Sequence, residues 1–171
     1  MSDIHVRIGT PDDVHPMVEI ALMAARENGV LAPNPEKLLQ DIWPALNRDR
    51  GIVGIIGAPG EQLEATVLLR IGPMWYSDGD VLEERAIFVH PDYRQAKGGR
   101  AARLCEFSKS VADQLGIPLT IGILSSQRTE AKVRMYRRIL GEPSGAYWIY
   151  NGKTGSAGAL SPTLSTEMVE N

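Results

Sequence analysis

Residues 4–8, Ile-His-Val-Arg-Ile, alternate apolar and polar side chains with the two-residue period of a half-buried strand. The next five, Gly9-Thr10-Pro11-Asp12-Asp13, carry the chemistry of a helix start. Thr10 can accept from the first backbone donors, Pro11 suits the first helical position, and the aspartates favour the positive end of the helix dipole. The helix so begun is expected to run to about Asn28 and to stop at Gly29. Ala32-Pro33-Asn34-Pro35 interrupts the pattern, and a second helix from about Glu36 to Leu46 gathers Leu38, Leu39, Ile42, Trp43 and Leu46 on one side.

The period then shortens. Two apolar, β-branched runs, 52–56 and 65–71, flank the turn signal Ala58-Pro59-Gly60 and predict a hairpin. After Gly72-Pro73 and the polar turn 77–80, the run VLEERAIFVH at 81–90 predicts another strand, buried in its second half and ended by His90-Pro91. From Gly99 onward Leu104, Phe107, Val111 and Leu115 mark one apolar helical face, and Gly116 and Pro118 end that helix. Residues 117–124 read as a strand, 129–140 as a last helix presenting Val133, Tyr136 and Leu140, and 146–150 as a closing strand. Strand, loop, helix, strand is the order of a crossover between parallel neighbours.

A chain of 171 residues fits one domain, assigned to 1–152, followed by a Gly/Ser/Thr-rich tail at 153–171. With 43% apolar and 23% charged residues, and no apolar run near the roughly 20 residues of a membrane span, the chain is expected to stay in water. No export signal is visible, and a lone cysteine, Cys105, forms no internal disulfide; both point to the cytoplasm. The net charge of −3 argues against a general nucleic-acid binder. That average hides two basic clusters, one from Arg94 to Lys109 and one from Arg128 to Arg138, the second most simply a solvated helix face.

The first cluster surrounds Gly98-Gly99 in PDYRQAKGGRAARL, residues 91–104. A strand end, a glycine-bearing loop and a helix N-terminus make an anion site, because unpaired N–H groups converge there and the helix dipole is positive. Arg94, Lys97 and Arg100 would add full charges. The spacing excludes both a P-loop and a Rossmann dinucleotide loop, so a phosphate or pyrophosphate of some other ligand is implied. His5, His15 and His90 lack metal-ligand spacing, and no metal is expected.

The order of elements, FVHPDYR leading into a basic glycine loop, and MYRRILG in the last helix together resemble the GCN5-related N-acetyltransferases, over residues 4 to about 152. The resemblance implies an α/β fold with a central mixed, mostly antiparallel sheet flanked by about four helices. It also implies acetyl transfer from acetyl-coenzyme A to a primary amine, on a small molecule or a protein, by direct attack in a ternary complex. In that family the loop Arg/Gln-x-x-Gly-x-Gly/Ala binds the pyrophosphate. Read from Arg94, the sixth position is Gly99 but the fourth is Lys97; read from Gln95, the fourth is Gly98 but the sixth is Arg100. The implied cofactor residues are therefore Arg94, Gln95, Ala96, Lys97, Gly98, Gly99, Arg100 and Ala101, with the pantetheine arm beside Ile87, Phe88 and Val89.

For a proton acceptor the strand offers Glu83 and Glu84, one on each face by alternation. The family's glutamate, about six residues before the strand end, favours Glu83; a bulge would reverse the facing and bring in Glu84. Tyr136 matches the tyrosine that approaches the coenzyme A sulfur, as proton donor. Trp43, Trp75 and Tyr76 are candidates for the acceptor cleft, with core packing the equal alternative for Trp43. Cys105 reads as a small buried hydrophobe. The resemblance further implies contact with a second subunit through the final strand and tail. A non-catalytic acyl-coenzyme A sensor or interaction module would use the same loop, and differ at Glu83, Glu84 and Tyr136.

Overall fold

A computed structural model describes residues 4–94, 99–123 and 129–146. These hold one five-stranded sheet in the order β1 (Arg7–Ile8), β2 (Gly51–Ile56), β3 (Ala65–Pro73), β4 (Asp80–Val89) and β5 (Leu119–Thr120). Neighbours from β1 to β4 are antiparallel, and β5 lies parallel to β4. The helices are α1 (Val14–Asn28), α2 (Pro35–Leu46), α3 (Arg100–Leu115) and α4 (Thr129–Leu140). Among the described residues no helix is long and apolar enough to cross a membrane.

Local chemistry explains the helix starts. Asn34 Oδ1 accepts from the Glu36 and Lys37 N–H groups at 2.9 and 3.3 Å, and Pro35 occupies the first helical position. At the first helix the hydroxyl of Thr10 lies 3.4 Å from Asp13 Oδ2, which also accepts the Thr10 N–H at 2.9 Å. The fully buried Asp13 meets both arms of Arg7, at 2.9 and 2.7 Å, and so ties β1 to the helix start. Arg7's hydrogen bonds hold the Asp13 carboxyl below its ordinary range, against the opposing effect of burial.

Helices α1 and α2 cover one face of the sheet, packing Met17, Ile20, Ile42 and Leu46 on Ile55 and Phe88. Helix α3 covers the other, with Leu104 and Ala112 against Val67, Leu69 and Leu82. With both faces covered, β2 and β3 are almost continuously apolar rather than alternating. Helix α3 lies so close that a Cβ at Gly54 would meet the Phe107 ring at 2.7 Å. Only glycine permits that approach.

The buried stripes are narrower than the sequence pattern. In α2, Leu39 and Trp43 are exposed while Ile42, Ala45 and Leu46 are buried. In α3 the buried positions are Leu104, Cys105, Ser108 and Ala112, and Leu115 is exposed. Small residues let that helix sit low on the sheet, and Ser108 satisfies its hydroxyl on the Leu104 carbonyl at 2.9 Å. Strands β1 and β5 are paired over two residues each, shorter than predicted. The closing strand expected at 146–150 lies, beyond Ala146, outside the described residues, as does the tail.

Candidate active site

Strands β4 and β5 pair only through Leu82–Leu119 and Glu83–Thr120. Beyond Glu83 the β5-facing edge of β4 has no strand partner among the described residues. A cleft of about 920 Å3 opens here, between β4, residues 120–123 and α4 on one side and α1 and α2 on the other. The register of β3 against β4 breaks at the same level: Leu68 faces Ala86 and Leu69 faces Glu84, which leaves Arg85 as the extra residue of a bulge.

That bulge reverses the alternation. Glu84 shares a face with Leu82 on the α3 side, in phase with Ile87 and Val89 after the bulge. Glu83 turns to the α1–α2 side, where Arg85 Nη1 reaches its Oε1 at 3.1 Å. The two glutamates therefore experience different solvents. Burial pushes the Glu84 carboxyl up to about 7, opposed by the Gly122 N–H, 3.4 Å from its Oε2, and by the Lys132 charge.

Tyr136 stands on α4 and lines the same cleft. Burial raises its phenol well above the ordinary value, and the Glu84 charge adds to the shift, so the hydroxyl keeps its proton. Cys105 is fully buried beneath the cleft, its thiol pushed up to about 11 by burial, which makes it unreactive.

At the far end of the cleft Gly99 adopts φ +63° and caps α3, with Arg100 and Ala101 in its first turn. The first-turn N–H groups have no intrahelical acceptor. Gln95, Ala96, Lys97 and Gly98 lie outside the described residues. The two flanking arginines are engaged by carboxylates. Arg94 donates to Glu27 Oε2 at 2.6 Å and to the Val89 carbonyl at 2.9 Å, and its guanidinium lies 4.9 Å over the Phe88 ring. Arg100 donates through Nε and Nη2 to Glu64 Oε2, each at 2.7 Å, and lies over Tyr93. Their charge, counted as free from the sequence, is neutralised within the fold.

Glu27 and Glu64 were not legible as site residues. They lie 67 and 36 positions from their arginines. One signal existed: Glu27 sits in the last turn of α1, where the helix dipole disfavours an acid unless a cation compensates. Trp43, Trp75 and Tyr76 do not line the cleft; Trp75 is 93% exposed and packs edge-on with Tyr76 beyond the end of β3. His90 caps the turn that follows β4, its Nδ1 accepting the Asp92 N–H at 3.3 Å.

No protein-family model matches the sequence. No curated protein matches it either. Solved structures do. An integron cassette protein from the mobile metagenome of Cole Harbour Salt Marsh is 22% identical, with TM-score 0.64 and 91% of each chain covered. A predicted acetyltransferase with acetyl-CoA from Clostridium acetobutylicum is 15% identical, with TM-score 0.65, 86% of this chain and 96% of that one covered. AAC(6')-Iy in complex with the bisubstrate analogue CoA-S-monomethyl-acetylneamine is 17% identical, with TM-score 0.63, 87% of this chain and 97% of that one covered. The mixed sheet, the four flanking helices and the opening between β4 and β5 give this chain the fold of the GCN5-related N-acetyltransferase superfamily.

Proposed function

We propose that the protein is an N-acetyltransferase that moves an acetyl group from acetyl-coenzyme A to a primary amine by direct attack. The observation that carries this reading is the meeting of Glu84 and Tyr136 in one cleft where β4 and β5 separate. Likeness to acetyltransferase structures, two of them with acetyl-CoA or a CoA-containing analogue, supports the same reading.

The cleft suits the cofactor on three counts: its volume of about 920 Å3, the edge of β4 that has no strand partner among the described residues, and the N-terminus of α3, whose Gly99 cap offers no side-chain acceptor. The first turn of α3 and the Gly99 backbone would hold the pyrophosphate, and the edge around Ile87 and Phe88 the pantetheine arm. The Val89 carbonyl is already taken by Arg94. When bound, acetyl-coenzyme A supplies an acetyl group activated as a thioester.

Glu84, with its carboxyl raised to about 7, is ionised in a useful fraction near neutrality and basic enough to take a proton from the acceptor ammonium. Glu83 is paired with Arg85 and serves the acceptor wall. Tyr136 remains a phenol and donates to the departing thiolate, which the same cleft desolvates and makes more basic. The ammonium gives one proton to Glu84, the nitrogen–carbon bond forms and the carbon–sulfur bond breaks, and the second nitrogen proton, lost as the amide forms, replaces the one that Tyr136 gives to the thiolate. No covalent intermediate with the protein is needed.

Thiol release measured across a panel of primary amines, with mass analysis of the products, tests the proposal. Amine-dependent release with an acetylated amine product is expected. Coenzyme A binding without turnover of any amine overturns the enzyme and leaves an acyl-coenzyme A sensor.

A further inference from the structure

The wall of the cleft formed by α2 and the start of β4 carries charge that acetyl transfer does not require. Asp41 sits between two arginines, with Arg70 Nη1 at 3.4 Å and Arg85 Nε at 3.5 Å, and Arg85 Nη1 continues to Glu83 Oε1 at 3.1 Å. Two cations and two carboxylates cancel. Lys37, one turn before Asp41 on α2, lines the same cleft with its ammonium in no ion pair among the described residues. Of the side chains that line the cleft on this wall, Lys37 and Arg85 balance Asp41 and Glu83, and Arg70 braces Asp41 from outside the lining.

Arg85 is open to solvent in a way that Arg94 and Arg100, at 22% and 11% exposed, are not. Its Nε contact at 3.5 Å is longer than a good N–H···O bond, its Nη2 has no partner among the described residues, and its side chain is 44% exposed. It is also the bulge residue, so its backbone leaves the regular pleat. Between this wall and the sheet the lining is apolar and small, from Met17, Ala21, Ala24 and Leu68. A ligand that fills this half needs an apolar body, an ammonium for the glutamates and a negative group for Arg85 and Lys37.

We infer that the acceptor is a small primary amine that also bears an anionic group, a carboxylate or a phosphate, bound by Arg85 and Lys37. The inference rests on the acetyl-transfer reading for the fate of the amine, and on the wall alone for its recognition. A polyamine would bring further positive charges to Arg85 and Lys37 and no negative group to pair with them.

Two matched pairs test it: phenylalanine with phenethylamine, and glucosamine 6-phosphate with glucosamine, alongside spermidine. Both kcat/KM by thiol release and calorimetric affinity for the coenzyme A-loaded protein are measured. The anion-bearing member of one pair should exceed its partner by about tenfold or more, as one charge-assisted hydrogen bond supplies. The pair that responds identifies carboxylate or phosphate. R85Q should collapse that ratio to within about threefold, and R85K should restore part of it. Equal behaviour within both pairs, or preference for spermidine, overturns the inference. Turnover absent for every amine, with Arg85-dependent binding of an anionic one, keeps the inference and removes acetyl transfer. Absence of both turnover and binding for the anionic amines overturns it.

Discussion

The two ends of the cleft hold the same kinds of side chain in opposite ways. At the α3 end Arg94 and Arg100 are each fixed to a carboxylate at 2.6–2.7 Å, mostly buried, and stacked on an aromatic ring. At the α2 end Arg85 is held loosely at 3.1–3.5 Å, and Lys37 is in no ion pair among the described residues. A count of cations treats the four alike. Distance and burial separate them into brackets that position the chain and cations that stay open to solvent. At the α3 end, attraction for an anion falls to backbone N–H groups and the helix dipole, whereas at the α2 end it falls to side chains.

The largest effect is expected where the two halves meet. E84Q should lower kcat by about 100-fold or more, the usual range for losing a general base, and should abolish the rise of kcat/KM with pH through about 7. The same change should stabilise the protein. A carboxyl whose folded pKa is raised favours its neutral form, so its contribution is full below the unfolded value near 4.5 and is lost as pH rises through about 7. At pH 8, E84Q should therefore unfold at a higher temperature, by about 2 kcal/mol of stability. A slower variant that is no more stable would break the assignment of Glu84 as a buried base.

Next in size is a pair of identical substitutions at the two ends. E64Q strips the half-buried Arg100 of its partner and should cost about 2–3 kcal/mol, read as a lower denaturant midpoint. E83Q removes an exposed partner of Arg85 and should cost under about 1 kcal/mol. Equal costs would erase the contrast between the ends. Y136F should reduce kcat by about tenfold and leave coenzyme A affinity within about twofold, because the hydroxyl acts only as the thiolate departs. The smallest effect sharpens the α3 end. With Arg94 already neutralised by Glu27, R94Q should lower the melting temperature while changing the salt dependence of coenzyme A binding very little.

The chain pattern alone determined much. Turn signals, apolar runs and glycine stops located α1 to α4 and β2 to β4 to within a few residues, because short-range sterics and amphipathic periods act within a few positions. The glycine-bearing loop before α3 was visible for the same reason, whereas the fold class and the choice of Tyr136 followed from the resemblance to the acetyltransferase family. The facing of Glu83 and Glu84 was not. It depends on a bulge at Arg85, and bulges are set by how β3 and β4 register, a matter of two strands rather than one. The stripes of α2 and α3 were overdrawn because Leu39, Trp43 and Leu115 look like core until the sheet's extent is known. Likewise Arg94 and Arg100 read as free charge until Glu27 and Glu64, distant along the chain, close on them in space. Local chemistry wrote the elements and the glycine-bearing turn into α3; only tertiary structure decided which glutamate is buried in the cleft and which cations remain open to solvent, because pKa and charge availability depend on neighbours brought together by folding.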